Sequence, residues 1–170
     1  MGLLQVATTK LETATSSVTL TGIDSDDLYL LSLNNVAPTS DNYYLKLKFT
    51  ESGTANSTSN YDYAQKFIRA NSSFLTLGGE NSAGVNITNH TNGTGTSETT
   101  NGIFYIYNAN NSSEYTFMNT LSSNRDSSGR NYGSQGGLVF TVASSVDGVN
   151  FAYNVGNIQT GSVFSLYKVV

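Results

Sequence analysis

Apolar and polar residues alternate with a period of two along most of the chain, the spacing that sets one face of a β-strand against a core and the other in water. In NYYLKLKFT, Tyr43, Leu45, Leu47 and Phe49 point one way and Tyr44, Lys46 and Lys48 the other, which predicts a half-buried strand. SSVTLTGI alternates at Val18 and Leu20 and changes phase at Ile23, so Gly22 marks a bulge or the strand's end. LYLLSLNNV is more continuously apolar, as expected of a strand covered on both faces. SFLTLGG, GVNIT, GIFYIYNA, EYTFMNT, GLVFTVASS, VNFAYNVG and the closing SVFSLYKVV bring the set to about nine or ten short strands separated by Gly, Asn and Ser. This pattern predicts an all-β fold over residues 1–170: a single-domain antiparallel β-sandwich, jelly-roll-like.

Three segments stand apart. YDYAQKFIRA is the one stretch that suits a helical turn or two, and Pro38 in APTSDN predicts a turn between strands. The segment Asn86 to Gly102 has no apolar residue after Ile87 and predicts an exposed loop. GIFYIYNA carries apolar or aromatic side chains on both faces, so one face is core and the other an interface or a second core layer. The apolar run Val163 to Val170 predicts a last strand that is either internal to a sheet or covered by a neighbouring subunit, because chain ends are otherwise polar and loosely held.

Composition sharpens this picture. Charged residues make up 12% of the chain, well under the usual share of about 25%. Ser, Thr, Asn and Gly take their place, residues whose side chains or backbone freedom suit tight turns. Eleven Tyr and eight Phe with a net charge of only −4 argue for a packed core rather than disorder. A pI near 4.7 and eight scattered basic residues argue against a nucleic-acid partner. No run of 18 apolar residues exists, so no membrane insertion is expected, and the N-terminal segment lacks the basic, apolar and cleavage regions of a secretory signal. The absence of cysteine excludes zinc ribbons, thiol catalysis and disulfide frameworks.

Catalytic chemistry has little to draw on. His90 is the only histidine and lies in the Asn/Thr-rich loop with no apolar wall beside it, which predicts a solvated residue. No G-x-S-x-G elbow occurs. Asp24, Asp26 and Asp27 in GIDSDDL read as a solvated loop, with a weak Ca²⁺ site as the alternative. NRDSSGRNYGSQ places Asn124, Asp126 and Ser128 at the first, third and fifth positions of a calcium loop and Gly129 at the sixth. It has Gln135 where a bidentate Glu belongs, and Arg125 and Arg130 beside the ion. GGEN at Gly78 and GSQGG at Gly133 to Gly137 lack the Lys and following helix of a phosphate loop and read as turns. The expectation is a non-enzyme with no metal and no cofactor. Tyr beside Asn and Ser suits saccharide recognition, and Tyr61 and Tyr63 in SNYDYAQ are the ligand-binding candidates, with Tyr105 and Tyr107 next; packing is the plainer role for each.

The order of four pieces, LYLLSLNNVAPTSDNYYLKLKFTESG, SNYDYA, the pair GIFYIYNA and EYTFMNT, and GNIQTGSVFSLYKVV, resembles small virion structural or tail-fibre-like proteins of tailed bacteriophages, marine ones especially. In that group the end typically reads as a Gly-Asn-Ile segment and then a strand finishing in Leu-Tyr-Gly; here Leu166 and Tyr167 match and Lys168 stands in place of the Gly. The resemblance implies a non-enzymatic virion protein, made in the host bacterial cytoplasm and displayed as a capsid decoration or knob, or as a tail accessory unit. Its partners would be other capsid or tail proteins, with a homo-oligomer also open. The alternative is a tail-associated receptor-binding protein that recognises a host surface glycan, and a glycan-cleaving enzyme ranks last. A complete fibre is disfavoured, since no heptad segment is present.

Overall fold

A computed structural model describes residues 2–70, 74–88 and 92–170. Among them the chain forms thirteen strands and no helix. They are β1 (Leu3–Lys10), β2 (Val18–Thr21), β3 (Tyr29–Val36), β4 (Leu45–Glu51), β5 (Thr54–Ala55), β6 (Tyr61–Arg69), β7 (Phe74–Ser82), β8 (Val85–Asn86), β9 (Thr100–Tyr107), β10 (Thr116–Arg125), β11 (Asn131–Phe140), β12 (Gly148–Tyr153) and β13 (Val163–Val169). All pairings are antiparallel.

The strands build two sheets. The larger has the order β1-β13-β3-β9-β10-β11-β6-β7; the smaller has the order β2-β12-β4, with β5 and β8 both on the far edge of β4. Eight strands make the frame: β1, β3, β9 and β13 in the larger sheet, β2, β4, β8 and β12 in the smaller, with the chain crossing between sheets at every step except β4 to β8. The resulting four-strand orders, β1-β13-β3-β9 over β2-β12-β4-β8, are those of a jelly roll, two interlocked Greek keys. Two hairpins extend the larger sheet beyond this frame: β6–β7, inserted between β4 and β8, and β10–β11, inserted between β9 and β12. The closing strand β13 is internal, paired to β1 on one side and β3 on the other, so its apolar residues Phe164 and Leu166 are core.

Alternation sets the core as the sequence suggests. Leu45, Leu47 and Phe49 of β4 are fully buried and Lys46 and Lys48 face out. Their counterparts across the sandwich include Leu31, Phe104, Phe140 and Phe164. Phe49, Tyr61 and Phe140 form one aromatic group, with ring centroids 6.2, 4.8 and 6.0 Å apart, and Phe151 meets Phe164 at 5.1 Å. Gly22 ends β2 with φ of +110°, and Ser52 and Gly53, both at positive φ, make the two-residue turn of the β4–β5 hairpin.

Four expectations are corrected. YDYAQKFIRA forms strand β6, not a helical turn, because Tyr61, Gln65 and Phe67 bury on one face at even spacing. GGEN and GSQGG are strand interiors of β7 and β11, not turns. Their glycines answer to close packing between backbones: a Cβ on Gly136 would run into the Ala64 carbonyl oxygen. Residues 86–102 are not simply an exposed loop, since Ile87, Thr88, Asn92 and Thr100 are buried; the exposed part is the turn around Gly95. Finally, β3 is covered on one face only, with Leu30 and Ser32 half-open on the other.

Gly136 and Gly133 of the same strand make a contrasting pair. Gly136→Ala should cost about 2–3 kcal/mol, since backbone rather than a flexible side chain blocks the new methyl. Gly133→Ala, with nothing within 4 Å of its Cβ, should be neutral or stabilise by up to about 1 kcal/mol. Urea melts of the two variants check this directly.

Candidate functional site

Each strand of the larger sheet sends alternate side chains to its outer face, and register fixes which of them stand side by side. One row crosses the face through Tyr167, Leu30, Tyr105, Asn119, Gly137, Ala64 and Gly78. Its first half is bulky and its second half is small. A second row places Ile103 beside Leu121, and a third places Tyr107 beside Phe117. Leu121 is 52% exposed, Phe117 45% and Ile103 40%, although a strand facing only water would carry polar residues there.

The outer face of the smaller sheet makes the contrast plain. It shows Thr19, Lys46, Lys48 and Asn150, the polar side of a clean alternation. Among the described strand residues, the well-exposed large apolar side chains belong to the larger sheet.

Where the row turns small, a groove of about 450 Å³ opens, bounded by Phe117, Val139, Asn119, Asp62, Tyr63 and Glu80 around Gly137 and Ala64. Phe117 offers a ring face, while Asp62 and Glu80 offer carboxylates. Asp62 already accepts the Asn81 N–H at 2.7 Å, and the Asn119 side-chain amide donates to the Tyr107 hydroxyl at 3.3 Å. At the far edge, Lys66 sits 4.4 Å from the centre of the Phe74 ring. A second, more apolar hollow of about 440 Å³ lies among Leu3, Leu28, Leu30, Tyr105, Tyr107 and Val169.

Tyr61 and Tyr63 separate. Tyr61 is fully buried; its hydroxyl accepts the Phe49 N–H at 3.0 Å and donates to the Asn56 carbonyl at 3.1 Å, and burial pushes its ionisation far above the ordinary range. It has no face to offer a ligand, which corrects its reading as a binding residue. Tyr63 lines the groove but leans on the core and is shifted upward by the same burial. Tyr105 and Tyr107 do reach the outer face. Phe117 and Leu121 are the residues that sequence reading missed: TFMNTL was recognisable as a strand, and its apolar residues on both faces were the available signal.

The acidic candidates are committed to structure. Asp24 accepts the Tyr29 hydroxyl at 3.0 Å and Asp27 the Lys168 ammonium at 2.7 Å, with Ser25 bonded to both carboxylates and to Lys168. The Tyr29 hydrogen bond, then the charge of Lys168, holds Asp24 below the usual aspartate range; for Asp27 the Lys168 hydrogen bond comes first. Lys168 thus fastens the end of β13 to the loop after β2. Among the described residues no group of three or more His, Cys, Asp or Glu comes together. His90 lies outside the described residues.

Asp126, third position of the calcium-like run, is 1% exposed and holds the β10–β11 turn. One oxygen accepts the backbone N–H groups of Ser128 and Arg130 at 2.9 Å each, and the other takes the Arg130 guanidinium at 2.7 Å. That run is a turn clasp.

No family model matches the chain, and neither a curated protein nor a solved structure matches it. The functional reading therefore rests on the residues themselves.

Burial alone would raise the Asp126 carboxyl, but the Arg130 hydrogen bonds and the Ser128 N–H outweigh it and hold the group below the usual range. A carboxyl depressed in the folded state contributes stability that is complete above its unfolded pKa, about 3.9, and lost as pH falls through the lower folded value. Asp126→Asn should cost about 2 kcal/mol at pH 7, the Arg130 end being open to water, and should make the loss of stability below about pH 4 shallower than in the parent. Thermal melts between pH 2 and 7, read as about five steps, test both effects.

Proposed function

We propose that the chain is a non-enzymatic structural component of a bacteriophage particle, displayed as a capsid decoration or tail accessory unit, and that the outer face of its larger sheet is its assembly surface. The observation that carries this reading is the confinement of Phe117, Leu121, Ile103 and Tyr107 to one open flank, against a polar flank on the other side. Contiguous apolar surface of several hundred Å² marks an interaction site in a soluble protein. The resemblance of the segment order to small phage virion proteins supplies the setting. The low share of charged residues suits a part whose contacts must hold in salt, where surface ion pairs are screened.

The groove at Phe117 favours a second reading, recognition of a host surface glycan. An exposed ring next to an amide and two carboxylates has the chemistry to stack on a sugar and accept from its hydroxyls.

Gold-labelled antibody on purified particles, read by electron microscopy, should decorate heads or tails; clean particles would overturn the virion reading. Under the second reading, Phe117→Ala should weaken binding on a panel of host glycans about tenfold with an unchanged melting temperature. Phe117 is the better probe than Tyr63, whose loss would also disturb the core. A panel with no binder sinks the glycan reading alone.

A further inference from the structure

We infer that the partner on the outer face of the larger sheet is a second copy of this chain, docked about a two-fold axis that lies in that face and runs along the strands between β9 and β10. The inference rests on the reading of this face as an assembly surface, and it specifies the occupant.

Shape is the first argument. An isologous interface must be complementary to itself, so that a residue on one copy meets a second residue whose equivalent it meets in return. The central row has this property, bulky at Tyr167, Leu30 and Tyr105 and small at Gly137, Ala64 and Gly78. A two-fold between β9 and β10 turns the order of strands about itself. Leu30 then stands over Gly137 of the other copy and Tyr167 over Ala64, so the ridge of each copy fills the trough of its mate. The flanking rows pair like with like: Ile103 over Leu121 and Tyr107 over Phe117.

Charge is peripheral. The outward charged residues of this face are Asp62 and Lys66 on β6, Glu80 on β7, Lys10 at the end of β1 and Arg125 at the end of β10. The same rotation sets Lys66 over Ser165 of the mate, and Asp62 and Glu80, at the edge of the face, over Val169 and Leu3. Thr8 and Ser165 already share a hydrogen bond of 2.8 Å. The charged side chains stand at the edges of the face, and its centre at β9 and β10 carries Ile103, Tyr107, Phe117 and Leu121.

Area is sufficient. Eight strands spaced about 4.8 Å apart, with three rows of outward residues about 7 Å apart, give a face of about 800 Å² per copy. Two such faces bury about 1,600 Å², the standard size of a stable protein–protein interface. Two sheets meeting in this way stack about 10 Å apart, as the sheets within one sandwich do.

The chain has no cysteine, so single introduced thiols report on the docking without background. Sedimentation of the purified chain should give the mass of two copies at concentrations of about 10–100 µM, and Leu121→Glu should weaken the association at least about a hundredfold by burying an unpaired carboxylate. Leu121 is 52% exposed, so the variant should fold and melt as the parent does, which circular dichroism checks. A short bismaleimide added to a mixture of Leu30→Cys and Gly137→Cys chains should give a covalent two-chain product that neither variant forms comparably alone. A parent that stays single up to about 100 µM overturns the inference and leaves the face to another virion protein. A trimer, a dimer indifferent to Leu121→Glu, or cross-linking no better in the mixture also overturns it. These readouts use purified chain and do not depend on particle labelling, so the docking can fail while the virion reading stands, and the reverse.

Discussion

The contact among Phe49, Tyr61 and Phe140 ties the two inserted hairpins to the jelly-roll frame. Phe49 belongs to the smaller sheet, while Tyr61 and Phe140 belong to β6 and β11, strands that the eight-strand frame does not need. Burying each ring contributes about 1.5–3 kcal/mol, and each ring pair adds about 1 kcal/mol. The Tyr61 hydroxyl adds direction: it takes the Phe49 N–H left over at the edge of β4 and gives its proton to Asn56, so the hinge between the sheets has both a packing and a hydrogen-bonding term. Pinned this way, β10, β11, β6 and β7 continue the larger sheet to twice the width of its jelly-roll part.

Width has a cost on both faces. On the inner face the smaller sheet runs out beyond β8, and the larger sheet changes character at that point. On β10, β11 and β6 the inward apolar residues, among them Met118, Leu138, Phe140 and Phe67, are joined by Thr120, Ser122, Asn124, Ser134 and Gln65, all buried. What covers them is partly chain between strands, and polar side chains can satisfy irregular backbone where apolar ones cannot. Gln65 donates to the Asn86 carbonyl at 2.9 Å and Thr100 to the Asn92 side chain at 2.9 Å. On the outer face no described residue covers the extra strands, and the sequence nonetheless places Phe117, Leu121 and Val139 there.

The sandwich was legible from alternation because each of β2, β4 and β12 has one wet face, and a period of two is then written directly in residue types. The larger sheet was harder to read. Its outward residues on β3, β9 and β10 include Leu30, Ile103, Tyr105, Tyr107, Phe117 and Leu121, which weakens the contrast that alternation depends on and made LYLLSLNNV look covered on both sides. Glycines in β7 and β11 imitated turns, when their purpose is the approach of neighbouring backbones, a property of pairing that no local pattern contains. Tyr61 and Tyr63 are two residues apart and lie on the same inner side of β6, yet Tyr61 is fully buried and Tyr63 only partly, a difference in depth that a sequence does not print. GIFYIYNA, by contrast, announced an interface or a second layer through its two apolar faces, and the outer face of β9 is part of the candidate surface.

The two flanks of the sandwich share one composition and one evolutionary history, so the difference between them needs a local cause. General solubility would make both polar, as Thr19, Lys46, Lys48 and Asn150 make the smaller sheet. An apolar flank that served only to stabilise the monomer would have to bury its side chains within the chain, and Phe117 and Leu121 are about half exposed. Their apolar area is what the proposed docking would cover. A chain poor in charge cannot steer a distant partner strongly, so recognition must come at contact, through fit. The ridge of Tyr167, Leu30 and Tyr105 beside the trough at Gly137, Ala64 and Gly78 is where this surface carries such a fit, and the internal pairing of β13 holds the ridge half as firmly as the aromatic hinge holds the other.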